Sequence, residues 1–222
     1  MMHMHGPAFF TPQTNLFLRK LAANNDRDWF AAHRAQYEDL IKHPANAFAN
    51  TMATALEAEN GTHFRSKILR IYRDQRFSND KRPYNTHVRI LFTSKDDGAD
   101  PGYFFSLEPD ELILGAGTFR YEKGDLDRFR QRVAGEEGEE LERIAAALEQ
   151  GGMRLSDPDL KRVPAPYRGD HPRAGLLRRK GLTAWIDALD CSTAYGTEAI
   201  DACMDGFRKL APLYDWLAKT QD

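Results

Sequence analysis

Cysteine is scarce in this sequence of 222 residues, and long apolar runs are absent. Cys191 and Cys203 are the only cysteines and lie among apolar residues, which predicts reduced thiols rather than a disulfide framework. No stretch approaches the ~20 apolar residues of a membrane helix, so no membrane partner is expected. The N-terminus MMHMHGPAFF lacks the apolar run and cleavage site of a signal peptide. These absences favour a cytoplasmic protein.

Motifs that would assign a reaction are also missing. There is no H-E-x-x-H, no paired C-x-x-C and no acidic triad with metal spacing, so no built-in metal site is predicted. Gly115-Ala116-Gly117 lacks the third glycine of a dinucleotide fingerprint and falls within a predicted strand, where a bulge or a close packing contact explains it. The sequence has neither G-x-S-x-G nor a P-loop. The cofactor, and whether the protein is an enzyme, therefore stay open.

Charge is unevenly distributed along a chain that is mildly acidic overall. The net charge is −2 and the sequence pI is about 6.4. Residues 65–90, however, carry eight Lys or Arg against Asp74 and Asp80, and residues 161–180 carry seven against Asp170. The rest of the chain is strongly acidic. If the two basic segments converge, they form a positive site on a negative body, which indicates an anionic ligand.

Periodicity predicts helices at both ends of the chain and a mostly antiparallel sheet between them. Residues 11–60 form a helical block. Residues 67–119 alternate in polarity around the tight turn Glu108-Pro109-Asp110, which predicts antiparallel strands that carry a long basic loop. Residues 124–222 are predicted to contain helices, a second basic loop and a further strand at 182–189. The whole chain is therefore expected to be a single α+β domain.

Helix boundaries follow from capping residues and prolines. Thr11-Pro12 combines an N-cap with a proline at the first helical position, and Gly61 is placed to end the helical block. Pro44 and Pro212 are expected to break or kink their helices, because proline lacks the N–H donor that a helix interior needs.

One segment, RIYRDQRFSNDKRPY, concentrates five cations and two aspartates in fifteen positions from Arg70 to Tyr84. It is predicted to connect two strands. Asp74 lies between Arg73 and Arg76 and can orient both guanidinium groups. Planar guanidinium groups suit bidentate recognition of a phosphate or carboxylate. The alternative is an Arg–Asp network that only ties the loop to the sheet.

The same residues resemble a known signature. Arg70-x-x-Arg73-Asp74-x-Arg76-Phe77-x-x-x-Lys81 is similar to that of a largely bacterial group of uncharacterised proteins, domain-of-unknown-function family 2461. Asn24-Asn25-x-Arg27-x-Trp29-Phe30 resembles its N-terminal motif, Lys81-x-Pro83-Tyr84 the continuation of its signature, and Leu177-Arg178-Arg179-Lys180-Gly181 a late basic motif. The resemblance covers nearly the whole chain. It implies no activity, but it adds weight to these residues.

Aromatic and titratable residues accompany the cations. His87 follows the loop on the same strand face as Arg89, which makes it a candidate acid or base near a bound anion; a structural strand histidine is the alternative. Tyr72, Phe77 and Tyr84 interleave with the cations, as in sites that stack a nucleotide base. Packing of the loop is the alternative explanation for these aromatic side chains.

Three functions remain open: an enzyme acting on a small phosphorylated or carboxylated molecule, a nucleic-acid or nucleotide binding module, and a structural Arg–Asp network in a protein that interacts with partners elsewhere. The compact, acid-containing cluster favours a small anionic ligand, because nucleic-acid surfaces are usually more extended and more basic. The candidate catalytic residues are Asp74, His87 and Tyr84. The candidate ligand-binding residues are Arg70, Arg73, Arg76, Lys81, Lys180, Arg27 and Trp29. The oligomeric state stays open.

Overall fold

The computed structural model describes residues 9–74, 80–94 and 101–219. Its strands are β1 Arg65–Ile68, β2 Val88–Thr93, β3 Gly102–Leu107, β4 Leu112–Thr118, β5 Arg154–Leu155 and β6 Leu182–Leu189. They lie in one antiparallel sheet in the order β1-β2-β3-β4-β6-β5. Helices precede and follow the sheet strands, so the α+β fold predicted from the sequence is confirmed.

Eight α-helices are assigned within the described residues, together with one π-helical and one 3₁₀ segment. The α-helices are α1 Pro12–Ala23, α2 Arg27–Ala32, α3 Arg34–Tyr37, α4 His43–Asn60, α5 Lys123–Ala134, α6 Glu137–Gln150, α7 Ala174–Leu177 and α8 Ala199–Ala218. The π-helix spans Glu38–Lys42 and the 3₁₀ helix Cys191–Ala194. Every helix in the described ranges is too short or too polar to cross a membrane.

The domain divides into two compact units. The first unit consists of Met1–Phe92, Phe104–Leu114 and Ala188–Asp205. The second unit consists of Thr93–Tyr103, Gly115–Asp187 and Gly206–Asp222.

The core of the first unit is aromatic. Phe10, Phe48 and Phe105 are each at most 1% exposed, and their ring centroids lie 4.6 to 5.6 Å apart. Burying rings of this size supplies much of the apolar area that stabilises a unit. The predicted start of α1 is confirmed, since Thr11 caps it and Pro12 is its first residue. Gly61 ends α4 with a left-handed φ of 66°, as expected.

The core of the second unit includes the other large aromatic cluster. Tyr103 stacks on Tyr214 at 4.5 Å, and Trp216, which is 1% exposed, meets Phe129 edge to face. The guanidinium group of Arg132 lies 4.0 Å from the centre of the Trp216 ring, a cation–π contact that also covers the tryptophan. These contacts pack the part of α8 that follows Asp205 against the rest of the second unit.

The two helix prolines lie in different settings. Pro44 is in the first turn of α4, where a missing N–H costs nothing, and the π-helix Glu38–Lys42 immediately precedes that helix. The break expected at Pro44 is therefore a change of helix type. Pro212 lies inside α8, which continues through it from Ala199 to Ala218.

Candidate functional site

The basic segment is closed at its base by strand-like pairing. The Arg73 N–H donates to the Pro83 carbonyl at 2.9 Å, and the Asn85 N–H donates to the Ile71 carbonyl at 2.7 Å. Between these bonds, Tyr72 and Tyr84 form an antiparallel bridge. Although β1 ends at Ile68, the predicted connection is thus a hairpin with an ordered base.

An irregularity in this pairing affects His87. The Leu69 N–H donates to the Arg89 carbonyl at 2.8 Å. Towards β1, this is the next backbone hydrogen bond after the one between Asn85 and Ile71. Leu69 and Ile71 are two positions apart, whereas their partners Arg89 and Asn85 are four apart. The second strand therefore contains two extra residues, in the bend at Thr86-His87. Bulges of this type redirect side chains and recur beside functional sites.

Asp80 organises the end of the hairpin. Its carboxylate accepts a hydrogen bond from Arg73 Nη1 at 2.5 Å and bonds from the Arg82 side chain at 2.6 to 3.0 Å. Hydrogen bonds from Arg82, and then from Arg73, lower the pKa of Asp80. Asp80 thus supplies a carboxylate to Arg73, because the hairpin brings it back beside that residue. The role that the sequence suggested for Asp74 stays a prediction.

The remaining members of the segment are placed differently. Asp74 lies 4.0 Å from Arg70, whose side chain is 71% exposed. Lys81 is exposed and takes part in a polar or electrostatic interaction. Arg76 and Phe77 lie outside the described residues.

Three clefts of the first unit are lined in part by Arg70. Cleft A, of about 230 Å³, also has Lys42 and His87 in its wall. Cleft B, of about 550 Å³, has Lys67 and Tyr72. Cleft C, of about 220 Å³, again has Lys42 and Tyr72. Arg70 is the member that the three walls share.

Cations outnumber acids around these clefts. Five cations and two acids line them. The cations are Arg34, Lys42, Lys67, Arg70 and Arg73, and the acids are Glu38 and Asp74. Glu38 forms an ion pair with Lys42 at 2.7 Å, and the hydrogen bond from Lys42 lowers its pKa. The clefts therefore carry an excess of positive charge, which attracts anions.

The π-helix Glu38–Lys42 supplies one side of clefts A and C. Ile41 is buried and anchors the segment, which leaves Lys42 in the cleft walls. Tyr37, just before it, is half-buried, and burial, followed by the proximity of Glu38, raises its pKa. Such π-helical insertions often occur at functional sites.

His87 belongs to a polar cluster that the sequence did not reveal. Its Nδ1 lies 3.5 Å from Glu108 Oε2. The other oxygen of Glu108 accepts bonds from Ser106 Oγ at 2.7 Å and from Arg89 Nη2 at 3.1 Å. Burial alone raises the pKa of the Glu108 carboxyl, but hydrogen bonds from His87 and Ser106 and the neighbouring positive charges lower it to about 2. Glu108 is therefore an anion at neutral pH, and it orients His87.

Tyr84 lies in the core beneath the hairpin. Its side chain is 5% exposed and stacks on Phe30 at 4.1 Å. Asn25 holds its backbone, donating to the Tyr84 carbonyl and accepting from the Tyr84 N–H, both at 3.0 Å. Burial raises the pKa of the Tyr84 hydroxyl, whereas the nearby charge of Arg27 lowers it. Arg27 itself is exposed at the start of α2.

Trp29 and Lys180 belong to different units and make different contacts. Trp29 stacks on His33 at 4.0 Å and packs against Phe17 at 5.7 Å. Lys180 belongs to the second unit, where its N–H donates to Asp159 at 2.6 Å. The expected meeting of the two basic segments stays a prediction.

Much of the second basic segment stabilises its own unit. Arg173 donates to the carbonyls of Val133, Ala134 and Gly135, which end α5. Cations are favourable at that end of a helix. Arg179 is 9% exposed, and burial lowers its pKa. Its Nη1 lies 3.4 Å from Ser156 Oγ in the same unit.

Sequence reasoning missed the contributions of the helical block and of the turn after β3. Arg34 and Lys42 lie in predicted helices, and Lys67 lies in β1, where single cations are ordinary surface residues. Glu108 and Ser106 looked like turn and strand residues. The only sequence feature that pointed to them was the alternation of residues in β2, which places His87 and Arg89 on one face beside β3. Within the described ranges, no group of three or more His, Cys, Asp or Glu is placed to hold a metal ion.

Comparison with known proteins gives a family and no activity. No curated protein matches the chain. A family model described as "Conserved hypothetical protein (DUF2461)" matches residues 13–216, which is most of the sequence. This match includes the hairpin, the helices that line the clefts and the second basic segment. The chain therefore belongs to the DUF2461 family of conserved hypothetical proteins.

Proposed function

We propose that this protein binds a small phosphorylated or carboxylated molecule in the clefts around Arg70. The observation that carries the proposal is that one exposed arginine lines three adjoining clefts of the same unit. The side chain of Arg70 is 71% exposed, and its ion pair with Asp74 measures 4.0 Å. That distance exceeds a hydrogen bond, so the guanidinium group keeps donors for a bidentate oxyanion.

Surrounding charge supports an anion over a cation. The other cations of the cleft walls come from α3, the π-helix, strand β1 and the hairpin itself, so they come from several parts of the first unit. Of the two acids, Glu38 is already paired with Lys42. A small anion can therefore collect several cations at once, which a flat basic surface does not offer.

His87 extends the proposal to catalysis. It lines cleft A with Arg70, and Glu108 faces its Nδ1. Nε2 is then the nitrogen through which His87 would exchange a proton with a ligand, in the manner of a general acid or base. Asp74, beside Arg70, is a second candidate for proton transfer. Tyr84 contributes less directly, because its ring is buried against Phe30.

The test is calorimetric titration of the full-length protein with phosphate, sulfate and citrate. Arg70→Ala is expected to weaken binding by about 1–3 kcal/mol, the value of a charge-assisted contact, without lowering the melting temperature. Arg73→Ala is expected to lower the melting temperature, because it removes a partner of Asp80. Arg168→Ala is the control, since this arginine is 84% exposed and paired with Asp170 in the second unit.

Two results would reject the proposal. One is the absence of binding by any of the small anions. The other is an unchanged affinity in Arg70→Ala. Binding of oligonucleotides alone, with an affinity that falls steeply as salt is raised, would transfer the function to nucleic acid.

A further inference from the structure

Tyr72 is a large aromatic side chain that stays exposed at the clefts. Tyr72 is 53% exposed, whereas its bridge partner Tyr84 is 5% exposed. The Tyr72 ring contacts Tyr84 at 5.4 Å with an interplanar angle of 50°, and it meets the edge of Phe30 at 6.4 Å. The ring is thus supported from the core side while much of its surface faces solvent.

The backbone holds this ring in a defined position. Hydrogen bonds to the residues on either side, from Asn85 to Ile71 and from Arg73 to Pro83, fix the chain at Tyr72. Because the backbone here is already ordered, a ligand that contacts Tyr72 does not have to order the chain on binding, which lowers the entropic cost of the contact. This is the behaviour expected of a binding platform.

Arg70 and Tyr72 are two positions apart on the paired segment. A bend at Ile71 separates them, so their common location is shown by the clefts that both of them line. Both residues line cleft B, of about 550 Å³, and both line cleft C. A volume of this size is typical of small-molecule sites.

We propose that the ligand is an anion that carries a planar unsaturated ring, as in a nucleoside monophosphate or an aryl phosphate. Its charged group would bind Arg70, and its ring would stack on Tyr72. The inference rests on the proposed function and narrows its ligand class. Stacking on a tyrosine ring tolerates different planar rings. The geometry therefore indicates that the ligand carries such a ring, but it does not identify which ring.

Matched ligand pairs test the inference by calorimetry on the full-length protein. The pairs are AMP with ribose 5-phosphate and phenyl phosphate with methyl phosphate; in each pair only the first ligand carries an unsaturated ring. The ligand with the ring is expected to bind about tenfold more tightly or better, the usual effect of one stacked ring. Tyr72→Leu is expected to remove that ratio, and Tyr72→Phe to keep it. Phe119→Leu, at a 63% exposed aromatic residue of the second unit, is expected to keep it as well.

The outcomes separate this inference from the proposed function. If ringed and ringless phosphates bind equally, or if Tyr72→Leu keeps the ratio, the ring platform is refuted while anion binding at Arg70 stands. If no phosphate in the panel binds but citrate does, the ring platform is refuted and anion binding stands; if citrate and sulfate also fail to bind, both proposals fail. A melting temperature measured for each variant shows that a lost ratio does not come from unfolding.

Discussion

Replacing Glu108 by glutamine tests whether the buried carboxylate beside His87 stabilises the fold through its charge. Glutamine keeps the size of the side chain and an acceptor for Ser106, but it removes the negative charge that faces His87 and pairs with Arg89. The pKa of Glu108 falls from an ordinary value of 4.5 to about 2. A shift of that size corresponds to about 3 kcal/mol of unfolding free energy. The side chain is 19% exposed, so solvent screening reduces this value only in part.

The sign of the pH dependence follows from the lowered pKa. A carboxyl that holds its proton less tightly when folded stabilises the protein fully above about pH 4.5, and this contribution is lost as the pH falls towards 2. Glu108→Gln is therefore expected to be less stable than the natural protein by up to about 3 kcal/mol at pH 7. The difference should shrink to roughly 1.5 kcal/mol at pH 3.

Urea unfolding followed by circular dichroism, repeated from neutral to acid pH, measures this difference. Asp110→Asn is the matched control on the same turn, because Asp110 is 76% exposed and pairs with an exposed Arg19. It is expected to change stability by less than about 0.5 kcal/mol. A variant at Glu108 that is as stable as the natural protein at pH 7, or a difference that does not shrink in acid, would refute the electrostatic argument.

Two further predictions concern packing. Asn25→Ala removes both hydrogen bonds to the Tyr84 backbone and should cost about 2 kcal/mol in urea unfolding, since a buried backbone pair is left unsatisfied; an unchanged unfolding midpoint would contradict this. Gly115→Ala places a Cβ 2.4 Å from Trp185 Cε3, so the ring must move, at a cost of about 1–3 kcal/mol and with a change in tryptophan fluorescence. Gly124→Ala, which meets no atom within 4 Å, should show neither effect.

The sheet strands were predictable where alternation was long enough to read. Val88, Ile90 and Phe92 are buried in β2 and the intervening residues are not, which is the pattern that the sequence indicated. β3 and β4 are also present around the predicted turn, but nearly every residue of both strands is buried, so alternation is not what distinguishes them. β5 was not predicted, because a strand of two residues is too short to show an alternation of apolar and polar residues. Its register, with Arg154 opposite Trp185, is set by pairing with β6.

The site was predictable only in the segment where its residues are neighbours in the chain. Arg70 and Tyr72 stood out because cations and aromatics are concentrated there. Arg34 and Lys42 come from helices whose exposed faces carry many charges, and nothing in the sequence says which face borders a cleft. The partner of Arg73 was similarly hidden, since the choice of Asp80 depends on how the hairpin closes.

The hairpin can be stabilised by one of its arginines and bind a ligand through another, because the arginines differ in what they already contact. Arg73 is 26% exposed and donates at 2.5 Å to Asp80, which Arg82 also binds, so an incoming anion would have to displace a carboxylate that two arginines hold. Arg70 is 71% exposed, and its carboxylate lies 4.0 Å away. Recruiting Arg70 therefore breaks no short hydrogen bond, while recruiting Arg73 breaks one of the strongest in the segment. The Arg–Asp network with Asp80 then serves to hold the hairpin, and with it Tyr72, in place. An anion reaching this surface is expected to bind where the network ends, at Arg70.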